Sequence, residues 1–150
     1  MKSVQDFSPA GFRAAYEERG MTQADVAKVV GVTVGTVGRW VTGKGAPSSR
    51  KFAALVEELK VPRSQLLLPL SADADLAVLR TRAGLRQEDV AERLAVQASD
   101  VSELEQGVGR MRVEWVEPLS ALYDVPPERL AAAVEVVEGR WRANLDAKRQ

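Results

Sequence analysis

Apolar residues recur along nearly the whole chain at the spacing of an α-helix, and no run alternates apolar and polar residues for long enough to predict a strand. The fold class is therefore predicted to be all-α. The first helix carries Phe12, Ala15 and Tyr16 on one side. Ser8 followed by Pro9 marks its start, because serine caps a helix N-terminus and proline fits the first helical position.

Two short helices follow, separated by a tight turn at Gly31, where glycine adopts a positive φ without steric strain. Thr22 is predicted to cap the earlier helix, and Asp25 completes a capping box with it. Thr33 is predicted to cap the later helix. Their buried faces are expected to hold Val26, Ala27 and Val30 in the earlier helix and Val37, Trp40 and Val41 in the later one.

A loop over Gly43–Pro47 is indicated by its glycines and proline. The fourth helix is expected to open at Ser48 or Ser49. Its apolar side is formed by Phe52, Leu55, Val56 and Leu59. A short fifth helix is predicted from Pro62 through Leu66.

The same plan returns 64 residues later without a gap. Gly20–Ala27 reads almost the same as Gly84–Ala91, and the match continues at Val32/Val96, Val37/Val101, Gly43/Gly107, Gly45/Gly109, Leu55/Leu119, Val61/Val125, Pro62/Pro126 and Leu66/Leu130. A fixed offset means that one unit is used twice. Helices in the second copy are predicted over 73–83, 87–94, 98–106, 112–123 and from Pro127 onward. We expect two domains, 1–70 and 71–150, packed together through the apolar connector 67–70.

The last helix extends beyond the repeat and has an apolar stripe of its own. The stripe contains Leu130, Val134, Val137, Trp141 and Leu145, at steps of four, three, four and four residues. Such a seam suits a partner helix and therefore dimerisation. The alternative is that this helix covers the core of its own unit. Gly139 lowers the helix propensity at its centre.

Two short helices joined by a tight turn within a bundle of five form a helix-turn-helix. The sequence resembles the phage repressor/Cro (XRE-like) family over residues 10–67 and, more loosely, 74–131. The resemblance is carried by Gln23, Val26, Ala27, Gly31, Val32, Thr33, Thr36, Val37, Trp40 and Gly43, with Pro47–Ser48 and Val61–Pro62 downstream. It implies two tandem five-helix lambda-repressor-like helix-turn-helix domains with an extended C-terminal helix.

In the first copy the outward positions of the second motif helix are Thr33, Val34, Gly35, Thr36 and Arg39. Arg39 is a candidate for bidentate contact with guanine, and Val34 for a thymine methyl group. The resemblance implies base reading at Val34, Gly35 and Arg39 and a phosphate contact at Gln23. Further phosphate contacts are expected from Lys28, Lys44, Arg50 and Lys51. The alternatives are a helix-start role for Gln23 and simple solvation of the cationic residues.

The second copy departs from this pattern at its outward positions, which are Gln97, Ala98, Ser99, Asp100 and Glu103, with Glu105 just beyond. Asp100 takes the place of Thr36, and Glu103 that of Arg39. Carboxylates are repelled by DNA phosphates, and only Arg86, Arg110 and Arg112 look placed to offset this. We expect the second copy to serve packing, dimerisation or the binding of another protein.

Composition excludes most catalytic chemistry. The chain has 45% hydrophobic and 28% charged residues, with no cysteine and no histidine. Disulfides, thiolate zinc sites, histidine metal sites and Ser-His or Cys-His nucleophiles are therefore excluded. We expect no enzyme activity, no cofactor and no bound metal. The abundance of Asp and Glu is the only feature that favours a carboxylate-dependent hydrolase. No apolar run reaches the ~18 residues of a membrane helix, which favours a cytoplasmic, nucleoid-associated protein with no membrane partner.

The net charge of zero hides two unlike halves. Residues 1–70 contain ten Lys/Arg and six Asp/Glu, whereas residues 71–150 contain eleven Lys/Arg and fifteen Asp/Glu. The leading hypothesis is a sequence-specific transcriptional regulator, a repressor, that binds double-stranded DNA as a homodimer through 127–150 or as an internal pseudo-dimer. The alternative is an antitoxin-like or regulator-binding module that meets a protein partner through 71–150, with DNA contact secondary.

Overall fold

A computed structural model describes residues 3–150, and all regular elements among them are helical. Two isolated antiparallel bridges, Ser3 with Ser48 and Phe7 with Leu67, are the only extended pairings in this range. The prediction of an all-α fold is confirmed. The chain divides into two compact units, the first ending at Leu70 and the second beginning at Ser71.

The first unit contains four α-helices and a short 3-10 helix. They are α1 (Pro9–Glu18), α2 (Gln23–Val30), α3 (Val34–Thr42), α4 (Ser49–Leu59) and the 3-10 helix Arg63–Leu66. The predicted caps are confirmed. Ser8 Oγ accepts from the Gly11 N–H at 3.0 Å, and Thr22 and Asp25 form the capping box. Ser48, rather than Ser49, caps α4.

The core of the first unit is aromatic. The rings of Phe7, Phe12 and Tyr16 pack in sequence with centroids 5.5 and 5.1 Å apart. Trp40 stands edge-on to Phe12 at 6.1 Å, and Phe52 edge-on to Phe7 at 6.4 Å. Because Trp40 is only 4% exposed, this cluster fixes the inward side of α3 to the rest of the unit.

The second unit repeats this plan in its own helices. They are α5 (Leu76–Arg82), α6 (Gln87–Leu94), α7 (Ala98–Glu105), α8 (Val113–Tyr123) and α9 (Pro127–Arg149). Helices α6, α7 and α8 begin 64 residues after α2, α3 and α4. Helix α5 begins later than predicted, because Asp75 caps it through the Val78 N–H at 2.9 Å. Helix α9 runs unbroken through Gly139.

The backbone conformation of the turns also repeats at an offset of 64 residues. Each residue with a positive φ in the described range has a partner 64 positions away, and the pairs are Gly20/Gly84, Gly31/Ala95, Gly43/Gly107 and Lys60/Asp124. Their φ angles are 66°/74°, 75°/58°, 78°/81° and 54°/53°. The two units are therefore the same fold at the level of individual turns.

The N-terminal half of α9 belongs to the core of the second unit. Leu130 and Val137 are 1% and 2% exposed, so they cannot contact a partner helix. This corrects the expectation that all five stripe residues are available for dimerisation. Val134 and Leu145 are half-buried, and Trp141 is 42% exposed.

Candidate nucleic-acid interface

The turn between α2 and α3 is built from backbone hydrogen bonds. Gly31, with φ of 75°, donates its N–H to the carbonyl oxygen of Ala27 at 2.9 Å, and the Val32 N–H donates to the same oxygen at 3.0 Å. Val37, fully buried, and Trp40 hold α3 on the core. The opposite side of α3 is therefore turned outward.

The N-terminus of α3 is capped and exposed. Thr33 Oγ1 accepts from the Thr36 N–H at 3.1 Å and shares a hydrogen bond with Thr36 Oγ1 at 2.9 Å. Val34 is 51% exposed, and Gly35 is exposed beside it. The first N–H groups of a helix lack partners within it and carry partial positive charge, which favours an anion at this end.

Arg39 lies on the outward side of α3 and is steadied by the next loop. Its Nη2 donates to the carbonyl oxygen of Lys44 at 3.4 Å. A Cβ atom at Gly45 would lie 3.4 Å from Arg39 Nε, so the side chain runs close along this loop. The guanidinium is exposed and held on one side only, which leaves N–H donors for an external acceptor.

Gln23, the first residue of α2, is half-buried against α3. A Cβ atom at Gly38 would lie 3.7 Å from Gln23 Oε1, so the amide rests beside the glycine. The cationic side chains of Lys28, Lys44 and Arg50 are exposed. These side chains are the remaining candidates for an interface centred on α3.

Lys51 is used differently from the other candidate phosphate ligands. Its Nζ donates to the carbonyl oxygen of Val30 at 3.0 Å, at the C-terminus of α2. A cation at a helix C-terminus satisfies a free carbonyl and complements the helix dipole. The structure therefore gives Lys51 a structural role, which the sequence alone did not reveal.

In the second unit the residue that corresponds to Gln23 is hydrogen-bonded within the unit. Gln87, the counterpart of Gln23, donates its Nε2 to Glu105 Oε1 at 3.0 Å. Glu105 was expected just beyond the outward face, but its side chain is 5% exposed and forms an ion pair with the equally buried Arg80 at 2.6 Å. The amide at the start of α6 is thus directed into the unit.

Tyr123 lines the same interior. Burial, and secondarily the negative charge of Glu105, raise the pKa of the Tyr123 phenol, so the hydroxyl stays protonated at neutral pH. A small cavity is lined by Glu105, Tyr123 and apolar side chains, among them Leu76, Val90 and Trp115. Sequence reasoning missed this cluster, although Tyr16 and Val41 of the first copy change together to Arg80 and Glu105.

The arginines expected to offset the acidic surface of the second unit are partly engaged. Arg86 Nη2 forms an ion pair with Asp89 Oδ1 at 3.1 Å. The Arg112 guanidinium lies 5.0 Å from the centroid of the Trp115 ring, in a cation–π contact. Neither contact involves the exposed Glu103 of α7, and the half-buried Asp100 accepts from the Gln97 N–H at 2.9 Å.

Neither a metal site nor a membrane span is evident in residues 3–150. No group of His, Cys, Asp or Glu side chains there is arranged to hold a metal ion. None of the helices in that range is long and apolar enough to cross a bilayer.

A helix presented outward by a packed partner helix, twice in one chain, defines a tandem helix-turn-helix protein. Residues 12–66 match the family model described as helix-turn-helix, which is of XRE type, and residues 74–133 match the model described as helix-turn-helix domain. The chain therefore carries two helix-turn-helix domains in tandem, and they support a DNA-binding regulator rather than an enzyme. No curated protein and no solved structure matches it significantly.

Proposed function

We propose that the protein is a sequence-specific transcriptional regulator that reads the major groove of double-stranded DNA with α3. The observation that carries this proposal is the two-sided character of α3. Val37 and Trp40 fix one side in the core, while Val34, Gly35 and Arg39 are exposed on the other. A helix of this width fits the major groove, where each base pair presents a distinct pattern of donors and acceptors.

Each residue of the interface has a proposed role. Arg39 donates to O6 and N7 of a guanine, and Val34 contacts a thymine methyl group. Gly35 allows close approach of the backbone, and the Thr33–Thr36 cap lies where phosphate meets the helix N-terminus. Gln23, Lys28, Lys44 and Arg50 bind phosphates and set the register.

Repression is the mode of regulation that we propose, because it requires only occupancy of DNA that overlaps a promoter. Two reading helices about 34 Å apart are the usual means of raising affinity in this class. We propose that a homodimer supplies them through the outer part of α9, at Val134, Trp141 and Leu145. An internal pseudo-dimer is less favoured, because Glu103 replaces Arg39 and Gln87 is bound within the second unit.

The test uses the full-length protein and a duplex site selected from random DNA. Arg39→Ala should weaken binding by about 1–3 kcal/mol and relax the base preference at one position. Arg50→Ala should weaken all sequences alike and reduce the salt dependence by about one counterion. Arg13→Ala, on the exposed part of α1, is the matched control. Unchanged affinity and preference in Arg39→Ala would remove α3 as the reading helix.

A second candidate function is an interaction module in which DNA contact is secondary. The observation that favours it is the acidic side of α7, where Glu103 is exposed and Asp100 is half-buried. Under this proposal the second unit binds a protein partner, and selection from random DNA enriches no sequence. Enrichment of a defined site would count against it.

A further inference from the structure

The basic residues of the proposed reading surface are replaced by glutamates at the same places in the second unit. Lys28, Arg39 and Arg50 correspond, at an offset of 64, to Glu92, Glu103 and Glu114. Since α6, α7 and α8 begin 64 residues after α2, α3 and α4, the equivalence is one of structure as well as sequence. All six side chains are exposed.

We call Lys28, Arg39 and Arg50 the basic face, and Glu92, Glu103 and Glu114 the acidic face. Each of the helices α2, α3 and α4 contributes one residue to the basic face. Each of the corresponding helices α6, α7 and α8 contributes one to the acidic face. Apolar side chains accompany both faces. Val34, next in sequence to the α3 cap, is 51% exposed, and in the second unit Val108, in the loop after α7, and Val113, the first residue of α8, are 54% and 88% exposed.

The two faces carry opposite charges at equivalent positions of the same fold. Where residues of the basic face meet residues of the acidic face, opposite charges are paired. Two basic faces, or two acidic faces, would repel at the same contacts. Complementary potentials of this kind guide association and suppress wrong pairings.

We propose that the acidic face of one chain docks on the basic face of a second copy. Each chain carries both faces, so each has an acidic face to give and a basic face to receive on. The inference rests on the proposed function, because the face that is covered is the one that would read DNA.

The consequence is a competition between DNA and the second copy. Both ligands offer negative charge to Arg39 and its neighbours, so DNA must displace the acidic face. The exposed ion pairs are individually weak and are screened within about 10 Å at 0.1 M salt. Self-association through these faces should therefore fall steeply as salt is added.

The direct test is carbodiimide cross-linking of full-length protein, in an equal mixture of ¹⁴N- and ¹⁵N-labelled chains at low salt. Cross-links from Lys28 or Lys44 to Glu92, Glu103 or Glu114 should join differently labelled chains, and specific duplex DNA should remove them. Cross-links found only within one label, or absent from these residues, would overturn the proposal.

A matched pair of variants gives the second test. The triple variant E92Q/E103Q/E114Q removes the acidic face, and E128Q/E135Q/D146N removes the same charge from exposed positions on α9. The first should weaken salt-sensitive self-association at least about fivefold and strengthen DNA binding more than the second does. Equal effects in both variants would show general charge attraction and overturn the proposal.

Charge reversal tests the pairing itself. K28E/R39E/R50E and E92K/E103R/E114R should each lose salt-sensitive association, and mixing them should restore it. The variant E128K/E135K/D146K should not replace the second partner. If it does, the faces are not specific for each other. Association of these variants is measured by sedimentation without DNA. The result therefore does not depend on whether Arg39→Ala weakens DNA binding.

Discussion

Arg80 and Glu105 form a bidentate ion pair inside the second unit, with Nε–Oε2 and Nη2–Oε1 distances of 2.6 and 3.1 Å. Both side chains are 5% exposed. The corresponding positions of the first unit hold Tyr16 and Val41, which lie in or against the apolar core. A buried ion pair thus occupies a place that the same fold elsewhere fills with apolar atoms.

Removing one member of this pair should be far more costly than replacing both. E105V leaves the Arg80 cation buried without its carboxylate and should destabilise the second unit by about 3–5 kcal/mol. R80Y/E105V restores the residues of the first unit and should cost less than about 1 kcal/mol, since apolar replacement of a buried pair is often neutral. Urea unfolding of the single and double variants measures the coupling. A double variant as unstable as E105V would show that packing, not charge, dominates.

Gly107 should tolerate no side chain, because α9 passes directly over it. A Cβ atom there would lie 2.3 Å from the carbonyl oxygen of Val137 and 2.7 Å from its carbonyl carbon. Gly107→Ala should displace α9 and reduce the hydrogen-exchange protection of residues around Val137. The backbone φ of 81° adds a strain of about 1–2 kcal/mol.

Gly43→Ala is the matched control for that substitution. Gly43 has nearly the same φ, 78°, but the nearest atom to its added Cβ is Pro9 Cγ at 3.8 Å. Only the backbone strain of about 1–2 kcal/mol should appear. Equal losses of stability at both glycines would contradict the close approach of α9.

The helices themselves were predictable because their signals are local. Thr22 and Asp25 define the start of α2, and the 64-residue repeat carries the same start to α6. The start of α5 was predicted too early because several polar residues precede it, and the choice of Asp75 as cap depends on packing. The buried pair of Arg80 and Glu105 was hidden because each looks like a surface charge in its own helix.

The candidate site was predictable where a side chain acts from its own helix. The exposure of Val34 and Arg39 follows from the period of α3 once Trp40 is buried. The role of Lys51 depends on α4 packing against α2 and could not be inferred from spacing. The apolar stripe on α9 predicted which side of the helix is buried but not what it packs against. Val137 packs within its own unit because α9 passes close to Gly107.

The residues that follow α2 and α6 and cap their C-termini offer a test of backbone strain. Ala95 adopts φ of 58°, where its counterpart Gly31 adopts 75°. Ala95→Gly should stabilise the second unit by about 0.5–1 kcal/mol, and Gly31→Ala should destabilise the first by about 1–2 kcal/mol. Thermal unfolding measures both changes. Changes of the same sign would show that φ is not the controlling quantity at this turn.

The capping box at the start of α2 should make the first unit sensitive to acid. The Thr22 N–H donates to Asp25 Oδ2 at 2.9 Å. This bond, and secondarily the bond with the Thr22 side chain, lower the pKa of Asp25 below its ordinary value of 3.8. The unfolded state therefore binds a proton more readily than the folded state. The stabilisation is complete above the ordinary value and is lost as pH falls through the lowered pKa.

Asp25→Asn should remove this contribution and flatten the decline of stability of the first unit in acid. Urea unfolding between about pH 2 and pH 6 measures the slope, in a W115F/W141F background that leaves Trp40 as the one tryptophan. Thr22→Val is the companion variant, because it removes the hydroxyl but keeps the N–H, which is the larger cause of the lowered pKa of Asp25. It should cost about 0.5–2 kcal/mol at neutral pH while most of the acid slope remains. An Asp25→Asn chain with the slope of the unaltered protein would show that the acid sensitivity arises at other carboxylates.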